Sequence, residues 1–230
     1  MQVVHSSEID WQSQQLQYQH DQRVCIHNFF SKSLADSLYQ SLLSTHFNHA
    51  YTTNGRGTEM SDADLKAMTP QQRQTFMSQV YQQAAKGVGF LYGRHKVDST
   101  SPDLLKKTLD YLNSEELLNK IRTLTGEPNI KFATAQATRY VGGSFLTRHR
   151  DMVPDEKRLF AYVLGFTPNW HPDCGGLLQF YQQNGTPRDA WTPAYNAMTL
   201  FDVKHIHAVT YVAPFTPQPR LTITGWFRSA

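Results

Sequence analysis

The spacing of apolar residues changes character near Gly126. Upstream, they recur every three or four positions. Leu34, Leu38, Leu42 and Leu43 follow Ser31; Leu104, Leu105, Leu109 and Leu112 follow Ser101-Pro102; Leu117, Leu118, Ile121 and Leu124 follow Ser114-Glu115-Glu116 and stop at Gly126. These runs predict helices, each with a residue at its start suited to capping or to a first turn, and the last closed by a glycine suited to a left-handed cap. A further helical pattern covers residues 62–86, with Pro70 marking a new first turn. Residues 23–30 and 89–97 read as short strands. The polar stretch 48–61, with Asn54, Gly55 and Gly57, reads as a long loop, and the Gln-rich stretch 11–20 as a loosely held arm.

Downstream, residues 129–228 contain no helical pattern. Apolar and polar residues alternate in short runs, among them IKFATAQATRYV, RLFAYVLGFT and RLTITGWFR, separated by Gly, Pro, Asn and Asp. Period-two alternation is what a strand with one buried face requires. Many such strands joined by turns predict a jelly roll or barrel. The predicted fold class is therefore α+β in a single domain, 1–230. A mostly helical support over 1–128 covers one sheet of a jelly-roll core over 129–230.

Composition narrows the possible functions. Of 230 residues, 40% are hydrophobic and 18% charged, which suits a packed core. No apolar run reaches the ~18 residues of a membrane span. Residues 1–22 lack an apolar signal-peptide stretch, so neither a membrane nor export is expected. Two cysteines, Cys25 and Cys174, are too few for a disulfide scaffold and point to a reducing, cytoplasmic setting. The net charge of +3 is small and unclustered, which argues against nucleic acid as a partner. Ten histidines direct attention to metal chemistry.

The first chemical candidate is His149-Arg150-Asp151. Residues i and i+2 of a strand share a face, so the imidazole and the carboxylate converge while Arg150 points away. The flanking pattern places Phe145 and Thr147 on the same side. One more histidine from a distant strand would complete a two-histidine, one-carboxylate facial triad, the set associated with non-haem Fe(II) oxygenases. His205 and His207, in the strand-like run VKHIHAVTYV, are the candidates. A second H-x-D, His171-Pro172-Asp173, carries a proline between Trp170 and Gly175 and reads as a turn. Arg220 opens a further strand on which Thr222 shares its face. A buried arginine calls for an anion, and its fork suits a carboxylate.

The order Tyr-x-x-Gly-x-Phe, His-x-Asp, Gly-Gly-x-Leu, His-x-Val and Arg-x-Thr-Ile-Thr-x-Trp resembles the 2-oxoglutarate- and Fe(II)-dependent dioxygenases, and within them the prolyl 4-hydroxylase branch. It is carried by RYVGGSFLTRHRD (139–151), RLFAYVLGFTPNW (158–170), GGLLQFY (175–181), TLFDV (199–203), HAVTYV (207–212) and RLTITGWF (220–227). The resemblance implies a double-stranded β-helix with Fe(II) held by His149, Asp151 and His207; the H-x-V-x-x-V match selects His207 over His205. It implies 2-oxoglutarate anchored by Arg220 with Tyr140 and Thr222 as helpers. The implied reaction uses O2 to hydroxylate a prolyl residue of a protein or peptide, releasing succinate and CO2. The alternatives are the same chemistry on a free amino acid or other small molecule, or a non-catalytic jelly-roll binding module. Arg158 and Trp226 are candidates for touching the substrate. So is the segment 51–60, with Tyr51, Asn54 and Arg56, as a lid over a peptide. Two departures stand out. The stretch between His207 and Arg220 carries Pro214, Pro217 and Pro219 and reads as a longer hairpin. Gly165-Phe166-Thr167 stands where the branch carries Tyr-Leu-Asn.

Overall fold

The computed structural model of the protein describes residues 2–230. In chain order the elements are α1 (Trp11–Asp21), β1 (Arg23–Ile26), α2 (Lys32–Ser44), β2 (Asn48–Thr53), β3 (Arg56–Met60), α3 (Asp62–Ala67), α4 (Pro70–Ala85), β4 (Phe90–Lys96), α5 (Asp103–Leu112) and α6 (Glu115–Thr125). Strands β5 (Phe132–Tyr140), β6 (Phe145–His149), β7 (Arg158–Gly165), β8 (Leu178–Tyr181), β9 (Pro187–Trp191), β10 (Ala197–Asp202), β11 (Ile206–Val209) and β12 (Arg220–Arg228) follow. Among the described residues after Gly126, only two short 3-10 turns are helical, at Pro154–Glu156 and Pro172–Cys174. Helix starts follow the capping pattern: Ser31, Ser61, Thr69 and Ser114 each accept a backbone N–H from the first turn.

The strands build two sheets that meet at β4. The larger runs β1-β10-β7-β12-β5-β4-β2-β3, and the smaller β6-β11-β8-β9. β5 and β6 lie in line along one edge of β4, Gly93 opposite Arg139 and Leu91 opposite Phe145, so the chain passes from one sheet to the other there. This is the double-stranded β-helix expected. Helices α1, α2, α5 and α6 cover the outer face of the larger sheet, whereas α4 packs on the hairpin and on Phe145 of β6. Leu34, Leu38, Leu42, Leu105, Leu117 and Ile121 pack against Leu164, Leu221, Ile223 and Phe227 in one core cluster. β12 alternates as predicted: Leu221, Ile223 and Phe227 face the helices, whereas Arg220, Thr222, Thr224 and Trp226 face the cavity between the sheets.

Three local expectations are corrected. The polar segment 48–61 is a β-hairpin, not a loop. Asn54 (φ 51°) and Gly55 (φ 72°) both sit in the left-handed region, the two-residue turn whose twist matches the strands it joins. The arm 11–20 is helix α1, capped by Asp10 onto the Ser13 N–H at 3.1 Å. It is tied to α6 by Gln15 Nε2 donating to the Thr123 carbonyl at 2.9 Å. Tyr18 alone of its residues is buried, so no apolar stripe marks it. The proline-containing stretch after His207 is a crossover, not a hairpin. β11 belongs to the smaller sheet, and β12 pairs with β5 and β7 in the larger.

Candidate active site

β6 and β11 bring the predicted ligands together through a bulge. His207 stands opposite His149 and Val209 opposite Leu146, so β6 carries one residue more than its partner between these pairs. The expected alternation is therefore broken. Leu146 and His149 both line the cavity, whereas Phe145 packs outward on Phe76 and Val80 of α4. Thr147 Oγ1 accepts the Gly89 N–H at 2.9 Å instead of sharing the His149 face.

His149 Nε2 lies 3.5 Å from Asp151 Oδ1, and His207 Nε2 lies 3.4 Å from Asp151 Oδ2. The three potential ligand atoms fall within 4.8 Å of one another. Each imidazole is oriented by its other nitrogen: His149 Nδ1 meets the Thr147 carbonyl at 2.9 Å, and His207 Nδ1 meets the His205 carbonyl at 3.0 Å. With Nδ1–H donating to backbone, both Nε2 lone pairs converge beside the carboxylate, the second-sphere arrangement of histidine ligands. His205 does not line the cavity and is not grouped with the ligands; its ring lies edge-on to Phe180 at 5.9 Å.

Electrostatics prepare the same three groups. Burial opposes a charged Asp151, but the adjacent His149 and His207 outweigh it and hold its pKa at about 2. Burial, reinforced by the neighbouring His149, pushes His207 down to about 4. Burial also disfavours charge on His149, yet its bond to Asp151 prevails and raises its pKa above the ordinary imidazole value. An ionised carboxylate flanked by a neutral imidazole is a ready donor set for a divalent cation. Two histidines and one carboxylate on a face leave open positions on an octahedral Fe(II).

The same cavity, about 250 Å³, ends in an anion receptor. Arg220 is 3% exposed, and among the described residues no carboxylate lies within ion-pair distance of it. Its Nε has no hydrogen-bond partner among the described residues. Its guanidinium carbon sits 5.2 Å from the centroid of Tyr140, which stacks on Tyr92 at 4.9 Å. Burial pulls the Arg220 pKa down, with Tyr140 beside it opposing the shift only in part. Both glycines of the Gly-Gly motif hold positive φ (67° and 63°): a Cβ on Gly175 would lie 2.0 Å from the Tyr211 carbonyl oxygen, and one on Gly176 within 3.3 Å of Arg220 Cδ. Thr222 lies beside Arg220 and bonds Thr138 through their hydroxyls.

Arg158 and Trp226 also line the cavity. The guanidinium lies 3.5 Å from the Trp226 ring centroid, and Nη1 is 3.6 Å from Asp151 Oδ1. Tyr51, Asn54 and Arg56 do not line it: Tyr51 packs edge-on to Phe76 at 4.8 Å, and the other two sit at the tip of the hairpin. The hairpin still reaches the site indirectly. β2 pairs with β4, and Arg94 Nε on the cavity wall donates to Glu59 Oε1 of β3 at 2.6 Å. Tyr92, Arg94 and Gln136 are cavity residues that the motifs do not single out. Their signal is strand alternation, which puts Phe90, Tyr92 and Arg94 on one face of β4 and Gln136, Thr138 and Tyr140 on one face of β5. His171-Pro172-Asp173 is an exposed turn, as its proline implies.

Comparison with known proteins agrees with this geometry. Residues 135–228 match the model of the 2OG-Fe(II) oxygenase superfamily. The prolyl 3-hydroxylase OGFOD1 of Mus musculus is 30% identical over 117 residues, 48% of this chain and 20% of that protein. Its Xenopus laevis counterpart is 27% identical over 128 residues, 53% of this chain and 24% of that protein. The matched region thus spans a quarter or less of these curated relatives. In fold, the chain resembles a Burkholderia pseudomallei 2OG-Fe(II) oxygenase family protein (TM-score 0.64, 14% identity, covering 100% of this chain and 97% of that one). It also resembles a Trichoplax adhaerens prolyl hydroxylase solved with a hypoxia-inducible-factor peptide (TM-score 0.64, 18% identity, covering 97% and 94%). The stretch that matches the 2OG-Fe(II) oxygenase superfamily, residues 135–228, carries both the His-Asp-His cluster and the buried arginine.

Proposed function

We propose that the protein is an Fe(II)- and 2-oxoglutarate-dependent dioxygenase that hydroxylates a prolyl residue of a protein or peptide, releasing succinate and CO2. One observation carries this reading: a buried guanidinium, without an ion-pair partner among the described residues, shares a cavity with a facial triad. A structural arginine would have a partner, and a metal-only site would have no use for Arg220. A dicarboxylate that reaches from the metal to Arg220 gives both groups a role.

His149, Asp151 and His207 would hold Fe(II), which when bound supplies activation of O2 and of the cosubstrate's 2-oxo acid end. Arg220 takes the distal carboxylate with its fork, and Thr222 adds a hydroxyl. Val163, Leu178, Phe201 and Val209 line the same cavity with apolar surface and exclude water from it. At the mouth, Arg158 and Trp226 form a stacked cation and ring against which a substrate chain can lie. The names of the sequence relatives and the peptide-bound structural relative support a prolyl peptide as substrate. The half-buried Cys25 and buried Cys174, both free thiols, suit a cytoplasmic setting.

The test is turnover of 2-oxoglutarate with Fe(II) and O2, measured as succinate, with and without prolyl peptides. Hydroxyproline should form in step with peptide-stimulated succinate, and amide-resolved product analysis separates 3- from 4-hydroxylation. Succinate formation stimulated by free amino acids but by no peptide would reassign the substrate. Absence of succinate from a metal-loaded protein would leave a binding module.

A further inference from the structure

β1 and β9 are the two ends of the path of paired strands, so no ladder of backbone hydrogen bonds joins them. Arg23 of β1 closes this gap. Its side chain is 2% exposed and forks onto Asp189 of β9, Nη1 to Oδ1 at 2.7 Å and Nη2 to Oδ2 at 2.9 Å. Its Nε donates to Asp21 Oδ2 at 2.8 Å. The guanidinium carbon lies 4.2 Å from the ring centroid of Phe180 and 5.0 Å from that of Trp191. Trp191 Nε1 donates to the same Asp189 at 3.3 Å.

Strand register connects this rivet to the iron ligands. Asp189, Phe180, His207 and His149 stand directly opposite one another across β9, β8, β11 and β6. Directly opposed side chains are the pairs through which a sheet transmits packing. On the larger sheet, Arg23 stands opposite Phe201. The His207 ring is flanked by Phe201, edge-on at 4.7 Å, and by Phe180 at 6.3 Å; those two rings are 5.3 Å apart and both are buried. With Nδ1 bonded to its own strand, the tilt of the imidazole is set by these two rings on one side and by the His149 ring, 4.2 Å away, on the other.

We propose that Arg23 is a positioning residue for the iron ligand His207, acting through Phe180. Arg23 touches neither the ligand atoms nor the cavity. It holds the outer face of Phe180, and it holds β9, which among the described residues pairs only with β8. Without the guanidinium, Asp189 keeps only the Trp191 N–H for its charge beside Phe180, and the tie on an edge strand is weakened. The inference rests on the iron-site reading above, and its test separates the two.

The experiment is anaerobic titration of the full chain with Co(II), read as the dissociation constant and as the visible ligand-field spectrum of the bound ion. Arg23→Met and Phe180→Leu should each weaken Co(II) by about 10–100-fold, the usual effect of removing an outer support of a ligand, and should change the spectrum. Arg188→Met is the control. Arg188 pairs with the same Asp21, so the charge change is identical, but it stacks on neither ring. It should bind Co(II) as the parent does. If Arg23→Met does not fold, Phe180→Leu carries the test. Parent-like affinity and spectrum in the folded variants would overturn the positioning role and leave Arg23 as a stabilising contact. Failure of the parent to bind Co(II) would overturn the iron-site reading, and this inference with it.

Discussion

Replacing Arg220 by Met should have two effects of opposite sign. The side chain is 3% exposed, lacks an ion-pair partner and leaves Nε unbonded, so the ligand-free protein carries an uncompensated charge. Replacing buried ionic groups with apolar side chains of similar volume gains about 1–4 kcal/mol. The contact with Tyr140 at 5.2 Å opposes this, at about 0.5–2 kcal/mol for a desolvated cation–π pair. The balance of the two ranges is centred on a gain of about 1 kcal/mol, which should raise the melting temperature of the ligand-free protein by roughly 2–4 °C at this size.

The same substitution removes the one cavity guanidinium that, among the described residues, has no carboxylate partner, since Arg94 pairs with Glu59 and Arg158 with Glu156 and Asp151. Truncating one side of a buried charge pair costs about 2–5 kcal/mol. That converts to roughly 30- to 4,000-fold in affinity at about 1.4 kcal/mol per tenfold. The assay is calorimetric titration of the Co(II)-loaded protein with 2-oxoglutarate, beside thermal melts of the parent and variant with and without it. The parent should be stabilised by 2-oxoglutarate and the variant should not. Unchanged affinity would refute the anchor role. A variant that melts lower than the parent without cosubstrate would show that Arg220 holds the fold together and that the cost of its burial has been misjudged.

Metal affinity should fall as pH drops through neutrality, because His149, whose pKa is raised, protonates first, while His207 stays neutral down to about 4 and Asp151 stays ionised down to about 2. Co(II) titrations at pH 8 and 6 should show weaker binding at pH 6, approaching about tenfold per unit below the His149 pKa; a flat profile would count against His149 as a ligand. Deleting residues 54–57 should impair hydroxylation of a prolyl peptide more than peptide-independent succinate formation, since the hairpin meets the cavity through Arg94 and Glu59 and leaves the ligands untouched; equal loss of both would refute a role confined to the peptide. Gly225→Ala should destabilise the chain by about 1–3 kcal/mol in chemical melts, because its Cβ would lie 1.8 Å from the Thr134 carbonyl oxygen. A parent-like midpoint would mean that β5 and β12 separate easily there.

Strand alternation alone makes the anchor legible in the sequence: Arg220, Thr222, Thr224 and Trp226 do share the cavity face of β12. The same rule fails on β6, where an extra residue between Leu146 and His149 resets which side chains turn inward. A bulge is a property of two paired strands, and neither sequence alone announces it. The hairpin at Asn54-Gly55 carries a turn signal that specifies two left-handed residues in succession, but its polar flanks give it the look of a loop. Helix α1 is not legible by periodicity, since one buried tyrosine makes no stripe. Arg23 and Asp189 lie 166 residues apart, beyond the reach of any spacing argument.

The site divides its work between the two sheets, and this makes sheet closure part of the chemistry. His149 and His207 stand on the smaller sheet, and Arg220, Thr222, Tyr140 and Arg158 on the larger; Asp151 sits just past β6, its N–H donating to the Val203 carbonyl beyond β10 at 3.3 Å. The span from the triad to the anchoring guanidinium is therefore a distance between sheets, not within one. On one side it is set by β5 and β6 running in line along β4. On the other, no backbone ladder joins the described strands, and the closure falls to side chains: the buried Arg23 on Asp189 between two aromatic rings, with the more exposed Arg188–Asp21 pair beside it. A cosubstrate that must chelate at one end and reach a fixed fork at the other tolerates little variation in that span. The fork at the open edge, remote from iron in the chain and absent from the cavity wall, is thus as much a condition of the proposed reaction as the side chains that line it.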